Sequence, residues 1–180
     1  MSIRASVFIA TSLDGFISRK DGSIDWLNEA NQLVPKGEDC GYKAFADSID
    51  VMLMGRNTFD LVRTFDTWYY GDKRVVVLSS REVDIPAELQ KTVSHSSEAP
   101  EVLLRRLEAE GFRHAYVDGG ITIQRFLRAG LINELTITLI PVLLGEGRPL
   151  FGALERDIKL KAVRTQAYDF GFVQVTYTTG

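Results

Sequence analysis

Residues 51–59, VMLMGRNTF, pose the question on which the fold turns. Four apolar residues run without a break and stop at a glycine, an arginine, an asparagine and a threonine. A continuous apolar run of this length reads as a strand buried on both faces, as in a parallel sheet covered by helices. Residues 75–78, VVVL, repeat the pattern, and strand-like runs recur at 3–10, 115–117, 135–144 and 173–177. Helical patterns lie between them. Residues 101–110 carry Leu103, Leu104 and Leu107, with Ser97 as candidate N-cap, Pro100 in the first turn and Gly111 as terminator. Residues 121–129 put Ile123, Phe126 and Leu127 on one side, and 39–48 is a helix that turns Tyr42, Phe45 and Ala46 inward. Strands alternating with helices predict βαβ units and a mostly parallel sheet. From Glu134 onward strand-like segments follow one another, which predicts antiparallel strands at one edge.

Composition narrows the class. The 180 residues suit one domain spanning 1–180, and 45% hydrophobic with 25% charged residues is ordinary for a globular protein with a real core. A net charge of -3 without basic clusters argues against nucleic acid as a partner. No apolar run approaches the roughly 20 residues of a membrane span, and the opening IRASVFIA is too short for a signal peptide, so a cytoplasmic protein is expected. A single cysteine excludes an intrachain disulfide and a Cys-rich metal site. Cys40 is expected to be a small buried filler, and His95 and His114 form no ligand pattern, so no metal is expected.

In open α/β sheets, ligands bind beyond the carboxyl ends of the strands. Three such ends share one chemistry: Gly55-Arg56-Asn57-Thr58, Ser79-Ser80-Arg81 and Asp118-Gly119-Gly120-Ile121-Thr122. Each offers backbone N–H groups, hydroxyls or a guanidinium. Helix starts attract anions, glycine lets phosphate approach the backbone, and arginine grips phosphate bidentately. None of Ser79, Ser80 and Arg81 is acidic, and two arginines suit the extra phosphate of NADP rather than NAD. Neither G-x-G-x-x-G after the first strand nor a G-K-S/T loop is present. The first strand runs into a long polar connection, Thr11 to Trp26, whose Phe16, Ile17 and Trp26 provide apolar residues to fold over a flat ring.

Taken together, SLDGFI, DGSIDW, MGRNTF, LSSR, VDGG and LINELTITLIPVLLGEGRPLF resemble the dihydrofolate reductase-like superfamily, in the branch that includes the reductase domain of bacterial riboflavin biosynthesis. The resemblance runs from about Arg4 to Tyr177. It implies a three-layer α/β/α fold around a mixed, mostly parallel sheet, with NADP(H) as cofactor. Gly55, Arg56 and Thr58 would hold cofactor phosphates, Ser79, Ser80 and Arg81 would meet the adenosine end, and Gly119, Gly120, Ile121 and Thr122 would cradle the pyrophosphate. Ala10 would sit beside the nicotinamide carboxamide, with Leu13, Asp14 and Ile17 in a loop closing over it. On the substrate side the resemblance points to Asp39 and Asp118.

The reaction expected is hydride transfer from NADPH to a C=N or C=O bond of a small polar heterocycle, either pterin- or dihydrofolate-like or a riboflavin-pathway aminouracil. The protein's part is to position and to supply a proton. Asp14, Asp39 and Asp118 are the candidates for that proton or for orienting the substrate, and Trp26 and Tyr42 are candidate pocket walls. The competing reading is a protein that binds NADP(H) without turnover. A homodimer is expected, with the apolar 135–144 segment as its surface.

Overall fold

The computed structural model describes residues 2–180, and residues 51–54 form the buried strand their pattern implies. In chain order the first half holds β1 (Arg4–Ser12), β2 (Phe16–Ser18), α1 (Asp25–Asn31), α2 (Tyr42–Ser48), β3 (Val51–Gly55), α3 (Arg56–Val62) and β4 (Arg74–Leu78). The second half holds β5 (Val93–Ser96), α4 (Pro100–Ala109), β6 (His114–Asp118), α5 (Gly120–Arg128), β7 (Glu134–Ile140), β8 (Arg148–Pro149), β9 (Leu160–Ala167) and β10 (Val173–Thr179). One eight-stranded sheet runs β5-β4-β3-β6-β1-β7-β10-β9, and β2 pairs with β8 in a separate two-stranded sheet. Pairings from β5 through β7 are parallel, whereas β10 is antiparallel to both β7 and β9.

Alternation along the strands divides the core in two. Val51, Leu53, Val76, Ala115 and Val117 face Leu103 and Leu107 of α4 and Ile123 and Phe126 of α5. Met52, Met54, Val75, Val77 and Tyr116 face the opposite layer, with Phe45 of α2 and Phe59 and Val62 of α3. Both faces are covered, which is why residues 51–54 of β3 and 75–78 of β4 are apolar without a break rather than at every second position. Each fully buried Leu, Ile, Phe or Met side chain in these layers contributes roughly 1.5–3 kcal/mol. The result is a three-layer α/β/α fold around a mixed, mostly parallel sheet.

Several expectations need correction. The 135–144 run is strand only as far as Ile140, and Leu143 beyond it is 69% exposed. β7 lies between β1 and β10, Leu135 to Thr138 are buried there, and the strand stops before Pro141, which has no N–H to donate. Ser97 does not cap α4; Ala99 is the N-cap and Pro100 opens the helix. The 39–48 helix starts only at Tyr42, because Asp39 accepts the N–H groups of Gly41 (2.9 Å) and Lys43 (2.9 Å) and so caps it from outside. Tyr42 is partly exposed but turns its ring edge-on to Phe8 at 5.7 Å, while Phe45 and Ala46 are half-buried. Cys40 is not a buried filler; it is half-buried, adopts φ 53, and its carbonyl accepts a bond from the Gln174 amide (2.9 Å). His114 is structural: its ring bridges the Ser6 hydroxyl (2.8 Å) and the Ser48 carbonyl (3.0 Å), and burial lowers its pKa. No helix among the described residues is long and apolar enough to cross a membrane.

Candidate active site

Strand register brings the three glycine- and hydroxyl-bearing junctions to one edge. Met54 stands opposite Asp118, and Gly55 opposite Leu78, so the segments after β3, β4 and β6 emerge side by side. Gly119 adopts φ +91, and a Cβ there would lie 2.5 Å from the Thr58 hydroxyl. A Cβ on Gly55 would lie 2.9 Å from the Thr122 hydroxyl, and one on Gly120 would lie 2.8 Å from Cδ1 of Ile17. The first two contacts interlock: each junction's glycine makes room for the other junction's threonine. No side chain caps α5, so the N–H groups of its first turn have no side-chain partner. Ile121 in that turn is 69% exposed, and Leu13 is 59% exposed.

The third junction is built differently. No α-helix follows β4; the connection to β5 holds only a short 3-10 turn at Ala87–Leu89. The Ser79 hydroxyl accepts the Arg81 N–H (3.0 Å), and the Ser79 carbonyl bonds the His95 ring (2.7 Å). Ser79 therefore shapes the turn and leaves Ser80 and Arg81 exposed. Arg56 lies beside β4's end with Nε 3.8 Å from Asp60, a loose contact that leaves the guanidinium available.

The loop after β1 is fastened down rather than free. The Ser12 hydroxyl donates to Asp14 (2.6 Å), and the N–H groups of Leu144 (3.1 Å) and Gly145 (2.7 Å) donate to the same carboxylate. These bonds, the Ser12 hydroxyl first, hold the Asp14 carboxyl below the usual carboxylate range. Such a group is ionised and acceptor-only at neutral pH, and its work is to tie the turn to the 144–145 segment. Backbone bonds from Leu13 to Val142 (2.9 Å) and from Leu150 to Gly15 (2.9 Å), with the β2–β8 pairing, complete the staple.

Across β1 from the junctions lies a cavity of about 510 Å³. Phe8, Ala10, Tyr42, Ile140 and Phe172 line it, and the 34–40 segment forms its lip. Asp39 is on that lip, engaged in capping α2. Trp26 does not line the cavity; it is buried behind the wall with Ile140 and Phe172. Asp118 is not in the lining either. It follows Tyr116 by two residues on β6, so it projects on the same sheet face as Tyr116, one strand from Phe8.

Asp118 is the perturbed group of this region. Its edge reaches solvent, but protein atoms surround the carboxyl, and that burial raises its pKa from 3.8 to about 6, against the opposing bond from its neighbour's N–H on Gly119 (2.9 Å). Tyr42, Tyr70 and Tyr116 are each pushed up by burial and, secondarily, by the Asp118 charge, which places three phenols around it. The Tyr116 hydroxyl is committed to the Phe8 carbonyl (2.8 Å).

Of the residues singled out in the sequence, Gly55, Thr58, Gly119, Gly120, Thr122 and Ile17 come together in one cradle, with Arg56 beside it. Ala10, Asp39 and Tyr42 belong to the cavity. Phe8, Ile140 and Phe172 were not anticipated; period-2 alternation from Ala10 was the signal that could have found Phe8. Tyr70 sits in a loop with no pattern to mark it.

A cradle of glycine junctions at the carboxyl edge, next to a cavity over β1, defines a dihydrofolate reductase-like protein. The chain belongs to the RibD C-terminal domain family, whose model matches residues 5–174. It is 33% identical over 171 residues to the uncharacterized protein YwjB of Bacillus subtilis (strain 168), covering 93% of this chain and 94% of that one. A solved protein of Shewanella sp. PV-4, provisionally placed in riboflavin biosynthesis, superposes with a TM-score of 0.92 at 39% identity, covering 100% of this chain and 99% of that one. Dihydrofolate reductase of Enterococcus faecalis, solved with NADP(H), shares the fold at a TM-score of 0.63 and 18% identity, covering 100% and 99%.

A carboxyl whose folded pKa, about 6, exceeds its ordinary 3.8 gains stability in its protonated form, fully present below pH 3.8 and lost as pH rises through about 6. Asp118→Asn is therefore expected to be more stable than the parent above pH 6, by on the order of 1–3 kcal/mol, with the difference vanishing near pH 4. Urea denaturation at pH 4 and pH 8 checks this; an equal difference at both values would remove the titration from the explanation.

Proposed function

We propose that this protein is an NADPH-dependent reductase acting on a small polar heterocycle or carbonyl compound, of the pterin or aminouracil kind. The observation that carries the reading is the interlocked pair of junctions, in which Gly55 and Gly119 leave no room for a Cβ beside Thr122 and Thr58. That cradle suits a pyrophosphate: bare backbone, hydroxyls and the uncapped start of the nine-residue α5 converge there. Arg56, half-exposed and loosely held, is positioned to meet a phosphate, and Arg81 with Ser80 is exposed at the neighbouring strand end for the adenosine side. The family match and the NADP(H) held by the Enterococcus reductase of the same fold support this choice of cofactor.

NADPH supplies the hydride when bound. The chain's own residues do the rest. Ala10, at the cavity floor, and Leu13, Ile17 and Ile121 form apolar flanks that exclude water from the transfer. Asp118 is the proton-holding group, since its carboxyl retains a proton up to about pH 6 where Asp14 does not. Asp39 shapes the lip, and Tyr42 walls the cavity.

A screen of NADPH oxidation against dihydrofolate, aminouracils, pterins and simple carbonyls is expected to give turnover with a heterocycle, reduced at least about tenfold in Asp118→Asn with NADPH affinity kept. Stoichiometric NADPH binding without turnover of any compound would favour a binding protein instead. Arg56→Ala is expected to weaken NADPH by about tenfold, about 1.4 kcal/mol, and NADH by less. Equal losses for both would detach Arg56 from the additional phosphate.

We also propose a homodimer, with β9 as its surface. β9 is an edge strand whose residues are exposed on both faces, Leu160 and Val163 included, an arrangement that a second chain would cover. Sedimentation is expected to give twice the chain mass, and Val163→Lys is expected to return it to the single-chain value.

A further inference from the structure

The cavity lip has already spent its anion-binding capacity on its own carboxylates. Every backbone N–H from Glu38 to Lys43 is taken within the segment. The Glu38 N–H bonds the Pro35 carbonyl (3.0 Å) and the Tyr42 N–H the Asp39 carbonyl (3.0 Å). The N–H groups of Asp39 (3.0 Å) and Cys40 (2.6 Å) both donate to the Glu38 carboxylate. Those of Gly41 (2.9 Å) and Lys43 (2.9 Å) donate to the two oxygens of Asp39. A turn entering a helix is the place where a phosphate on a substrate would ordinarily find donors. Here Glu38 and Asp39 take those donors themselves.

Among the described residues the charged groups in the cavity lining are Glu38, Asp39 and Lys36, a net charge of one negative. Lys36 is a single exposed ammonium two residues from Glu38, and one lysine is a point charge, not a fork that fits phosphate. The nearby Lys43 is already paired with Asp47 (2.6 Å). Asn31 and Thr138 add neutral polar groups, and most of the remaining wall is apolar or aromatic: Phe8 and Tyr42 meet edge to face at 5.7 Å, and Ala10, Ile140 and Phe172 close the floor. Such a wall suits a flat ring, with the few polar groups setting its orientation.

We propose that the cavity takes an uncharged planar heterocycle and discriminates against one bearing a phosphate, because Glu38 and Asp39 occupy the lip's N–H donors and repel a second anion. This rests on reading the cavity as the substrate site of the proposed reductase, and it separates the aminouracils into an accepted unphosphorylated form and a rejected phosphorylated one. The discrimination is by repulsion and by the lip's backbone donors being taken, not by a missing attraction alone.

The test is direct binding without NADPH, followed by calorimetry, of 5-amino-6-(ribosylamino)uracil and its 5′-phosphate to the full chain. The unphosphorylated compound is expected to bind at least about tenfold more tightly. The gap is expected to narrow at about 0.5 M salt, because screening weakens repulsion between exposed charges. Glu38→Gln removes a charge and keeps the one oxygen that accepts both of its N–H groups, whereas Asp39→Asn removes a charge and keeps one of two acceptors. Each is expected to narrow the gap through tighter binding of the phosphate, a change that mere loosening of the lip would not produce. Equal or tighter binding of the phosphate by the parent protein overturns the proposal, as does failure of both compounds to bind. Binding with the expected preference but no NADPH oxidation overturns the reductase reading and leaves this one standing.

Discussion

The close approach of two strand-to-helix junctions is the constraint from which the rest of the structure follows. β3 and β6 are parallel neighbours, so the chain leaves both at the same edge and at nearly the same height. Gly55 and Gly119 allow the following turns to interlock with Thr122 and Thr58. Any other residue at Gly119 meets two penalties at once, a positive φ and a threonine hydroxyl at 2.5 Å. The helices these turns launch then diverge to opposite faces: α3 delivers Phe59 and Val62 to one core, α5 delivers Ile123 and Phe126 to the other. One tight contact at the sheet edge thus sets the directions of both covering layers.

The same edge carries an electrostatic cost. Asp118 ends β6 among Tyr42, Tyr70 and Tyr116, none of which supplies a counter-charge, and its one resolved bond comes from the next residue's N–H. Asp14 shows what a carboxylate looks like when the fold is built to keep it charged, with one hydroxyl and two N–H donors from elsewhere in the chain. The two acids differ in environment, and the environments push their pKa values in opposite directions. Perturbed acids in clefts cluster at functional sites, because stability alone does not favour keeping them.

The central strands and their junctions were legible in the sequence because burial on both faces leaves a continuous apolar run, and the junction residues stand out against it. β5 and β9 were not. They are edge strands with one partner each, and VSHS and LKAVRTQA need no apolar continuity. The run at 135–144 was visible as a strand, but its end at Ile140, before Pro141, was not marked by any loss of apolar residues. The cavity was only half legible. Phe8, Tyr42, Ile140 and Phe172 come from four distant segments, and nothing local marks their convergence. Asp39 was visible as an acid near the site, but that its oxygens are consumed by Gly41 and Lys43 depends on backbone geometry that spacing does not reveal.

β1 joins the two halves of the site. On one side it pairs with β6, which ends in the glycine cradle; on the other it pairs with β7 from Ser6 to Ser12, so Ala10 stands opposite Thr138. The Gln174 amide then bonds both Thr138 (2.9 Å) and the Cys40 carbonyl (2.9 Å), fixing the lip of the cavity to the sheet. On the cradle side, Ile17 packs against Gly120, and Ile17 belongs to β2, which β8 and the Asp14 bonds hold in place. Cradle wall and cavity lip are therefore both anchored to the strands around β1 rather than hung on free loops. Less ordering remains to be done when a ligand arrives, so more of the contact energy appears as affinity and as a defined distance between the two bound groups.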